Sequence, residues 1–560
     1  MNEHAEHHAS KFTTKQRTIA LVIVALAFVM DLLDTTIVNI AIPSIQTGLG
    51  ASYATIQWLI AGYALTFAIL LITGGRMGDV FGYKKMFLTG VAGFTLASLL
   101  CGVAASPEML IAARLLQGSM AALMVPQIMS LMQIMYKPHE RSQVMGLFGA
   151  LGGLSATLGP IVGGVLIHAN IFGWDWRPIF LINIPVGLFA FFAAVKFLPK
   201  GKSAHPLKLD FAGTGLVVLA LGLLIFPLIQ GRELDWPAWT FIMLTSSIPA
   251  FAFFVWHQRR KDARDGSALI VPSMFTKRTF VSGMALNIIQ SAAMVGYFLT
   301  LTLSIQAGLG YDVIKAALTG IPTAIGIGAS IGLVSQLLIP KLGRYVITLG
   351  TVVMAVGLLI TWAVMNHFGL DTQPLYLSPG LLITGLGLGC IMAPVFSISL
   401  QDVDIKHAGA ASGVLNAIQQ IGGAVGIAVV GVLFFGQLQF GASDAFDRAT
   451  PQLRSELSAL QLPAQAQDSI IAATRTCFTD IAAQKDQTKL PVSCQTAMPD
   501  ANTQAGAKVK EVIMHAAKVA NASNFVDSFR AAMTYMLALM AVVFGLSFAL
   551  PKKFKVVQEA

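Results

Sequence analysis

Stretches of about 20 apolar residues recur along almost the entire chain, and this repeated length restricts the possible folds more than any other feature of the sequence. A helix of that length crosses the hydrocarbon core of a bilayer and satisfies its own backbone hydrogen bonds there. Only 11% of the 560 residues are charged, against about 25% in soluble domains. The sequence therefore predicts an all-α integral membrane protein.

The apolar pattern predicts fourteen membrane-spanning helices, so both chain termini lie on the same side of the membrane. The spans cover approximately residues 18–43, 53–73, 86–105, 108–134, 143–167, 178–198, 210–229, 238–257, 280–306, 313–338, 346–366, 377–400, 410–435 and 529–550. Lys and Arg are concentrated on the side of the termini, whereas the short loops opposite contain only Arg177, Arg232 and Lys315. Positively charged loops stay in the cytoplasm, which places both termini there. The net charge of +10 follows from this topology and does not indicate nucleic-acid binding.

The spans divide into two groups of six with two extra spans between them. We predict a cytoplasmic tail (1–17), an N-terminal six-helix bundle (18–198), two inserted transmembrane helices with a basic cytoplasmic linker (199–278), and a C-terminal six-helix bundle (279–560). A weak internal repeat relates the halves, because GRMGDVFGYKK follows span 2 and IPKLGRY follows span 10. Such repeats are typical of transporters that move two bundles about a central site.

Three charged side chains inside predicted spans stand out, because a charge in hydrocarbon is costly and usually functional. Asp31 and Asp34 are three residues apart and share one face of the first helix. Low dielectric favours the neutral form of a carboxyl group, which would let them exchange protons near neutral pH. A structural role beside a helix end or beside Arg114 stays open. Arg114 cannot lose its charge and needs a polar partner, such as Gln117 one turn away, unless it reaches the membrane surface.

The cytoplasmic segment GRMGDVFGYKK is expected to form a tight turn with a gating role. The glycines that would permit a sharp backbone turn are Gly75, Gly78 and Gly82. Asp79 is expected to cap the helix that follows, while Lys84 and Lys85 hold the segment on the cytoplasmic side. The alternative is an ordinary positively charged loop.

The segment LGPIVGG closes the fifth span. Pro160 removes a helix hydrogen bond. Gly159 and Gly163 are four residues apart and open a face for close helix packing, which Gly164 extends. Ordinary packing between membrane helices is the alternative interpretation.

The loop 436–528 is long and polar, and its amphipathic windows predict helices on the outer side of the membrane. It contains Cys477 and Cys494, whereas Cys101 and Cys390 lie in spans. Two cysteines in an outward loop suggest a disulfide. The alternative is a pair of unrelated free thiols.

Several of these segments together resemble the major facilitator superfamily, and specifically its fourteen-helix drug:proton antiporters. The first four are LDTTIVNIAIP (33–43), GRMGDVFGYKK (75–85), RLLQG (114–118) and LGPIVGG (158–164). Four more follow in the same order: WRPIFLINIPVG (176–187), LDFAGTGLVVLALG (209–222), IQAGLGYDVIKAALTGIP (305–322) and GAASGVLNAIQQIGG (409–423). The resemblance extends over almost all of residues 18–550.

The resemblance implies export of amphipathic toxic compounds from the cytoplasm of a bacterium, across its inner membrane, in exchange for protons. Asp34 matches the family's acidic position in span 1, Arg114 its arginine in span 4, and LGPIVGG its antiporter motif. The proton gradient would supply the energy without a cofactor, and no metal site is expected. Candidate residues of the substrate cavity are Asn39, Gln117, Asn416 and Gln420.

The sequence departs from the family pattern at a few positions. Val80 and Tyr83 replace residues that are usually basic, Gln419 stands where Arg is frequent, and Asp31 falls at a variable position. Uptake of a solute by proton symport is one alternative function. A membrane-anchored enzyme or receptor that works through the loop 436–528 is another. A periplasmic adaptor of a tripartite efflux system is one candidate partner of that loop, and a role as a lineage-specific cap is the alternative. The chain itself is expected to be monomeric.

Overall fold

The structure, a computed structural model, describes residues 13–136, 138–202, 208–231, 234–270, 272–334, 338–403, 408–484, 491–497 and 504–551. Within these ranges the regular structure is entirely helical. The helices up to the inserted pair are α1 (Thr14–Leu49), α2 (Tyr53–Phe81), α3 (Tyr83–Gly102), α4 (Pro107–Met135), α5 (Pro138–Ala169), α6 (Pro178–Leu181), α7 (Asn183–Phe197), α8 (Phe211–Gln230) and α9 (Ala238–Asp265). Arg232 and most of the predicted tail 1–17 lie outside the described residues.

The second half begins with α10, which passes into one π-helical turn (Ser304–Gly308). Its helices are α10 (Arg278–Leu303), α11 (Val313–Thr319), α12 (Ile321–Leu333), α13 (Ile339–Leu342), α14 (Tyr345–Phe368), α15 (Pro374–Leu400), α16 (Ala408–Phe440), α17 (Ala442–Ala459), α18 (Ala464–Ala483), α19 (Val492–Ala497) and α20 (Gln504–Ser547). Short 3-10 turns occur at Ile171–Gly173, Pro272–Thr276 and Gly369–Asp371.

The predicted all-α membrane fold is confirmed. Among the described residues, 13 helical segments are long and apolar enough to cross a bilayer. The remaining predicted span, 143–167, lies in α5, whose apolar part Leu158–Ala169 is shorter. Two spans are each built from a pair of helices, since Ile182 separates α6 from α7 and Gly320 separates α11 from α12.

Helix ends follow local capping chemistry more than hydropathy. Thr13 and Gln16 form a capping box at the start of α1, and Ser52 caps α2. α1 ends at Leu49, six residues beyond the predicted limit, although Pro43 lies inside the helix; Gly50 caps it in the left-handed conformation. α20 has 44 residues and is therefore about 66 Å long. Since this is about twice the hydrocarbon thickness, its first half projects outside the membrane.

Each half is a bundle of mutually packed helices. In the first half α2 and α3 both pack on α4, while α1 packs on α5 and α7. In the second half α15 packs on α12 and α14, and α10 packs on α16 and α20. Small residues permit the close approaches, since a Cβ at Gly74 or at Gly385 would overlap a backbone carbonyl of the neighbouring helix.

The predicted repeat between the halves has a structural counterpart at two equivalent helix junctions. Lys84, at the start of α3, donates to the carbonyl of Leu198 at the end of α7 over 2.9 Å. Arg344, at the start of α14, donates to the carbonyl of Leu550 just after α20, also over 2.9 Å. In both halves a basic residue near the end of the repeated segment therefore caps the end of the last helix of its bundle.

The two halves pack against each other along α2 and α16, and further contacts join them at their outer ends. Tyr53, at the start of α2, stacks on Phe435 of α16 with ring centroids 3.9 Å apart. Gln306 in the π-helical turn donates to the carbonyl of Ile40 over 3.3 Å. These contacts join α1 and α2 of one bundle to α10 and α16 of the other.

The inserted helices α8 and α9 pack on each other, and α8 also packs on both α2 and α16. The hydroxyl groups of Thr73 on α2 and Thr214 on α8 are 2.9 Å apart. Arg76, buried near the cytoplasmic end of α2, donates to the carbonyl of Ser267 over 2.6 Å and to that of Ala268. The linker after α9 is thus attached to α2.

The outer loop folds as a small helical domain. α17, α18 and the first half of α20 enclose an apolar cluster that includes Phe446, Leu453 and Ile513. Cys477 and Cys494 form a disulfide between α18 and α19. Cys101 and Cys390 are free and buried in the membrane helices.

Candidate functional site

Asp34 lies in the middle part of α1 and is only 1% exposed. Arg114 of α4 forms an ion pair with its Oδ2 atom. Its Oδ1 atom accepts hydrogen bonds from Nε2 of Gln117 over 2.7 Å and from Nδ2 of Asn183 over 2.8 Å. Three N–H donors from two other helices therefore converge on one buried carboxylate.

Arg114 is held on several sides and is also 1% exposed. Its Nε atom donates to the carbonyl of Leu59 over 3.0 Å, and one terminal nitrogen donates to Oε1 of Gln117 over 2.7 Å. The guanidinium lies over the ring of Tyr63, 4.3 Å from its centroid. Because Nε and one terminal nitrogen donate to buried acceptors and the side chain is almost fully buried, the charge does not reach the membrane surface by snorkelling.

The side chains that donate to the carboxylate are themselves held by polar groups of α3. Ser98 of α3 accepts from Gln117 over 2.8 Å and from Asn183 over 3.2 Å. The thiol of Cys101 lies 3.7 Å from Oε1 of Gln117. We call Asp34, Arg114, Gln117, Ser98 and Asn183 the charge cluster.

Asp31 lies next to the charge cluster and is linked to it through Tyr63. The Tyr63 hydroxyl donates to Oδ1 of Asp31, while the face of its ring contacts Arg114. Both residues are buried, at 5% and 2% exposure. Asp34 pairs with Arg114 directly and Asp31 is linked to it through Tyr63, so a change in the charge of either carboxylate acts on the same guanidinium.

The other predicted cavity residues are not part of the charge cluster. Asn39 is partly exposed on α1, one and a half turns beyond Asp34. Asn416 is exposed and Gln420 partly exposed on α16, in the opposite half of the protein. Asn39 and the α16 residues thus lie on different bundles, as a cavity between the bundles requires.

The cytoplasmic segment 75–85 differs from the prediction in its local structure. Gly75 and Gly78 lie inside α2, and the turn consists of Gly82 alone, with φ of 99°. The expectation that Asp79 caps the next helix is wrong, because α3 begins after Gly82 without a side-chain cap. Asp79 instead accepts from the Tyr83 hydroxyl over 2.9 Å. Gly78 is needed for packing, since a Cβ there would overlap the side chain of a glutamine on α4.

The two lysines at the end of this segment differ in their surroundings. Lys84 donates to the carbonyl of Val195 over 2.8 Å as well as to that of Leu198, so it ties α3 to the end of α7. Lys85 is exposed on the cytoplasmic side.

The LGPIVGG segment packs α5 directly onto α1, one turn beyond Asp34. A Cβ at Gly159 would overlap the hydroxyl of Thr36, and one at Gly163 would lie 2.7 Å from Ile37. Gly164 faces the other bundle, where a Cβ would lie 3.0 Å from a side chain of α11. The helix α5 continues through Pro160. The glycines therefore set the distance between the aspartate-bearing helix and α5.

The sequence interpretation missed three members of the site, namely Tyr63, Ser98 and Asn183. Each is neutral, and neutral polar residues are common in membrane helices, so composition gives little signal. Asn183 nevertheless lies within WRPIFLINIPVG, a segment that the sequence had already singled out.

Comparison with known proteins agrees with this architecture. Residues 24–427 match the family model of the Major Facilitator Superfamily. A probable actinorhodin transporter of Streptomyces coelicolor is 41% identical over 538 residues, which cover 96% of this chain and 92% of the relative. A tetracenomycin C resistance and export protein of Streptomyces glaucescens is 32% identical over 428 residues, covering 74% and 75% of the two chains.

Among solved structures, a bacterial homologue of the human lysosomal transporter Spinster, in an inward-facing and occupied conformation, has the same fold. The TM-score is 0.58 at 15% identity, with 96% of this chain and 97% of that chain covered. The chain has two six-helix bundles with two inserted helices, and its relatives are transporters rather than enzymes. It belongs to the Major Facilitator Superfamily of membrane transporters.

Proposed function

We propose that this chain is a proton-coupled antiporter that exports amphipathic toxic compounds or drugs from the cytoplasm by alternating access. The observation that carries the proposal is the buried ion pair of Asp34 and Arg114 inside the N-terminal bundle. Ionised groups within a membrane are expensive and mark ion or substrate pathways. The names of the relatives, an actinorhodin transporter and a tetracenomycin C resistance and export protein, support the substrate class.

The cycle follows from the charge balance of the cluster. Protonation of Asp34 removes the negative charge that balances Arg114 and weakens the ion pair that joins α1 to α4. Release of that proton to the cytoplasm restores a carboxylate, which can pair with Arg114 or attract a cationic substrate. Proton and substrate thus compete for one carboxylate, which is the requirement for antiport. Asp31 acts on the same arginine through Tyr63.

The remaining assignments are parts of the same proposal. Asn39, Gln117, Asn416 and Gln420 line the substrate cavity, and the segment 75–85 gates its cytoplasmic side. The proton gradient of the bacterial inner membrane drives export without a cofactor. The chain acts as a monomer, and its outer helical domain is where a periplasmic adaptor would bind.

The test compares Asp34→Asn with Asp468→Asn, a control in which an exposed carboxylate of the outer domain is neutralised. Ethidium export is measured in inverted vesicles energised by a proton gradient, after both variants are shown to insert at equal levels. We expect Asp34→Asn to abolish proton-driven export and Asp468→Asn to retain it. Undiminished proton-driven export by Asp34→Asn would refute the role of this carboxylate. Proton-driven movement of the dye in the opposite direction would indicate symport.

A further inference from the structure

Asn183 lies at a helix interruption inside the membrane, and its side chain reaches Asp34 of the charge cluster from there. It is the first residue of α7 and is only 4% exposed. Pro185 lies two residues later and has no N–H group for the carbonyl of Leu181, which explains why α6 ends at that residue. The side chain of Asn183 therefore projects from a backbone segment that lacks one helical hydrogen bond.

The amide of Asn183 is oriented by its two partners. Its Nδ2 atom is 2.8 Å from Oδ1 of Asp34 and 3.2 Å from the hydroxyl oxygen of Ser98. Gln117 also donates through Nε2 to the same two acceptors, over 2.7 Å and 2.8 Å. Two amides thus share one carboxylate oxygen and one hydroxyl oxygen, while Arg114 occupies the other carboxylate oxygen.

Protonation of Asp34 weakens the hydrogen bonds that its carboxylate accepts. Each carboxylate oxygen already faces N–H donors, and a protonated oxygen is a poorer acceptor for them. Arg114 is fixed by the carbonyl of Leu59, and Gln117 is fixed by Arg114 and Ser98. The donor with the least constraint is therefore the amide of Asn183, on the interrupted helix.

We propose that Asn183 is a positioning residue for proton coupling, which holds Asp34 in its ionised form and withdraws when Asp34 takes up a proton. The inference rests on the proposed function, since it gives Asn183 a part in the proton step of Asp34. The other titratable or charged side chains that face Asp34 are Asp31 on α1, Tyr63 on α2, Cys101 on α3 and Arg114 on α4.

Infrared titration of the purified full chain in lipid tests the proposal without the need for a known substrate. The absorption of a protonated carboxyl group that disappears in Asp34→Asn belongs to Asp34, and its midpoint pH is then compared between variants. A hydrogen bond to a charged group is strong enough to move a titration by about one pH unit. We expect Asn183→Leu to raise the midpoint by about that amount, because removal of the donor favours the protonated form.

Asn287→Leu is the matched control, since it removes a buried membrane amide that donates to a backbone carbonyl in the other bundle. We expect this control to keep the wild-type midpoint. Asn183→Ala is the second variant in case Leu prevents folding, and Ser98→Ala should give a smaller shift in the same direction. If neither Asn183 variant folds, an unchanged midpoint in Ser98→Ala overturns the inference.

The outcomes separate this inference from the function on which it rests. An Asp34 signal that titrates with the same midpoint in Asn183→Leu and wild type would overturn the role of Asn183 and leave proton coupling intact. An equal shift in Asn287→Leu would overturn it as well, because the effect would not be specific to the site. If no pH-dependent signal is lost in Asp34→Asn, the proton role of Asp34 itself fails.

Discussion

Replacement of Arg114 by Lys keeps the positive charge of the site and removes the planar guanidinium, so it tests whether geometry or charge matters. Arg114 donates to Asp34, to Gln117 and to the carbonyl of Leu59, and its plane lies over the ring of Tyr63. An ammonium group on a shorter chain retains the contact with Asp34 at best. Two hydrogen bonds of a charged donor are then lost, each contributing about 1.5–3 kcal/mol.

The expected total is about 3–6 kcal/mol, and about 1.4 kcal/mol corresponds to a tenfold change in rate or equilibrium. We therefore expect Arg114→Lys to reduce proton-driven ethidium export at least 100-fold in inverted vesicles, with normal insertion. Arg448→Lys is the control, because Arg448 pairs with Asp527 on the exposed outer domain, and it should export normally. Export by Arg114→Lys within a few-fold of wild type would refute the reasoning, since it would mean that a point charge suffices.

Three further variants test neighbouring features. Asp31→Asn should impair proton-driven export less than Asp34→Asn, because Asp31 accepts its hydrogen bond from Tyr63 whereas Asp34 pairs directly with Arg114; a larger defect would reverse the ranking of the two carboxylates. Gly159→Ala should lower the free energy of unfolding by about 1–3 kcal/mol, because the added methyl group overlaps Thr36. Gly215→Ala should leave it unchanged, because the space around Gly215 is open. Cys477→Ser with Cys494→Ser should make the outer domain more sensitive to protease, since closure of a loop with a separation of 17 residues contributes about 3 kcal/mol. Export should survive that change, and free alkylation of both thiols in protein purified without reductant would contradict the disulfide.

The fold could be predicted from the sequence because the bilayer imposes a simple rule of length and polarity. Each predicted span contains a helix of the structure, and the positions of the breaks follow from Pro, Gly and capping residues. The errors occur where helices leave the membrane. The last span predicted from hydropathy begins at about residue 529, yet α20 begins at Gln504, because amphipathic packing against α17 continues the helix outside the bilayer.

The site could be predicted only where it carries charge. Asp34 and Arg114 are conspicuous in an apolar segment, and their need for partners made it reasonable to expect that each is stabilised inside the protein. Tyr63, Ser98 and Asn183 are neutral, and their relevance depends on distances across three different helices. Such distances are set by packing and cannot be read from spacing along one chain.

The inserted pair α8 and α9 affects how the two bundles can move. α8 packs on α2 of the first bundle and on α16 of the second, so a change in the angle between the bundles must alter at least one of these contacts. The contact with α2 is reinforced by the Thr73–Thr214 hydrogen bond and by Arg76, which donates to two carbonyls of the linker. Breaking the bonds to the linker would remove the two shortest hydrogen bonds of the buried guanidinium of Arg76, which is unfavourable. The contact between α8 and α16 is therefore the one expected to slide, and the inserted helices should move with the N-terminal bundle.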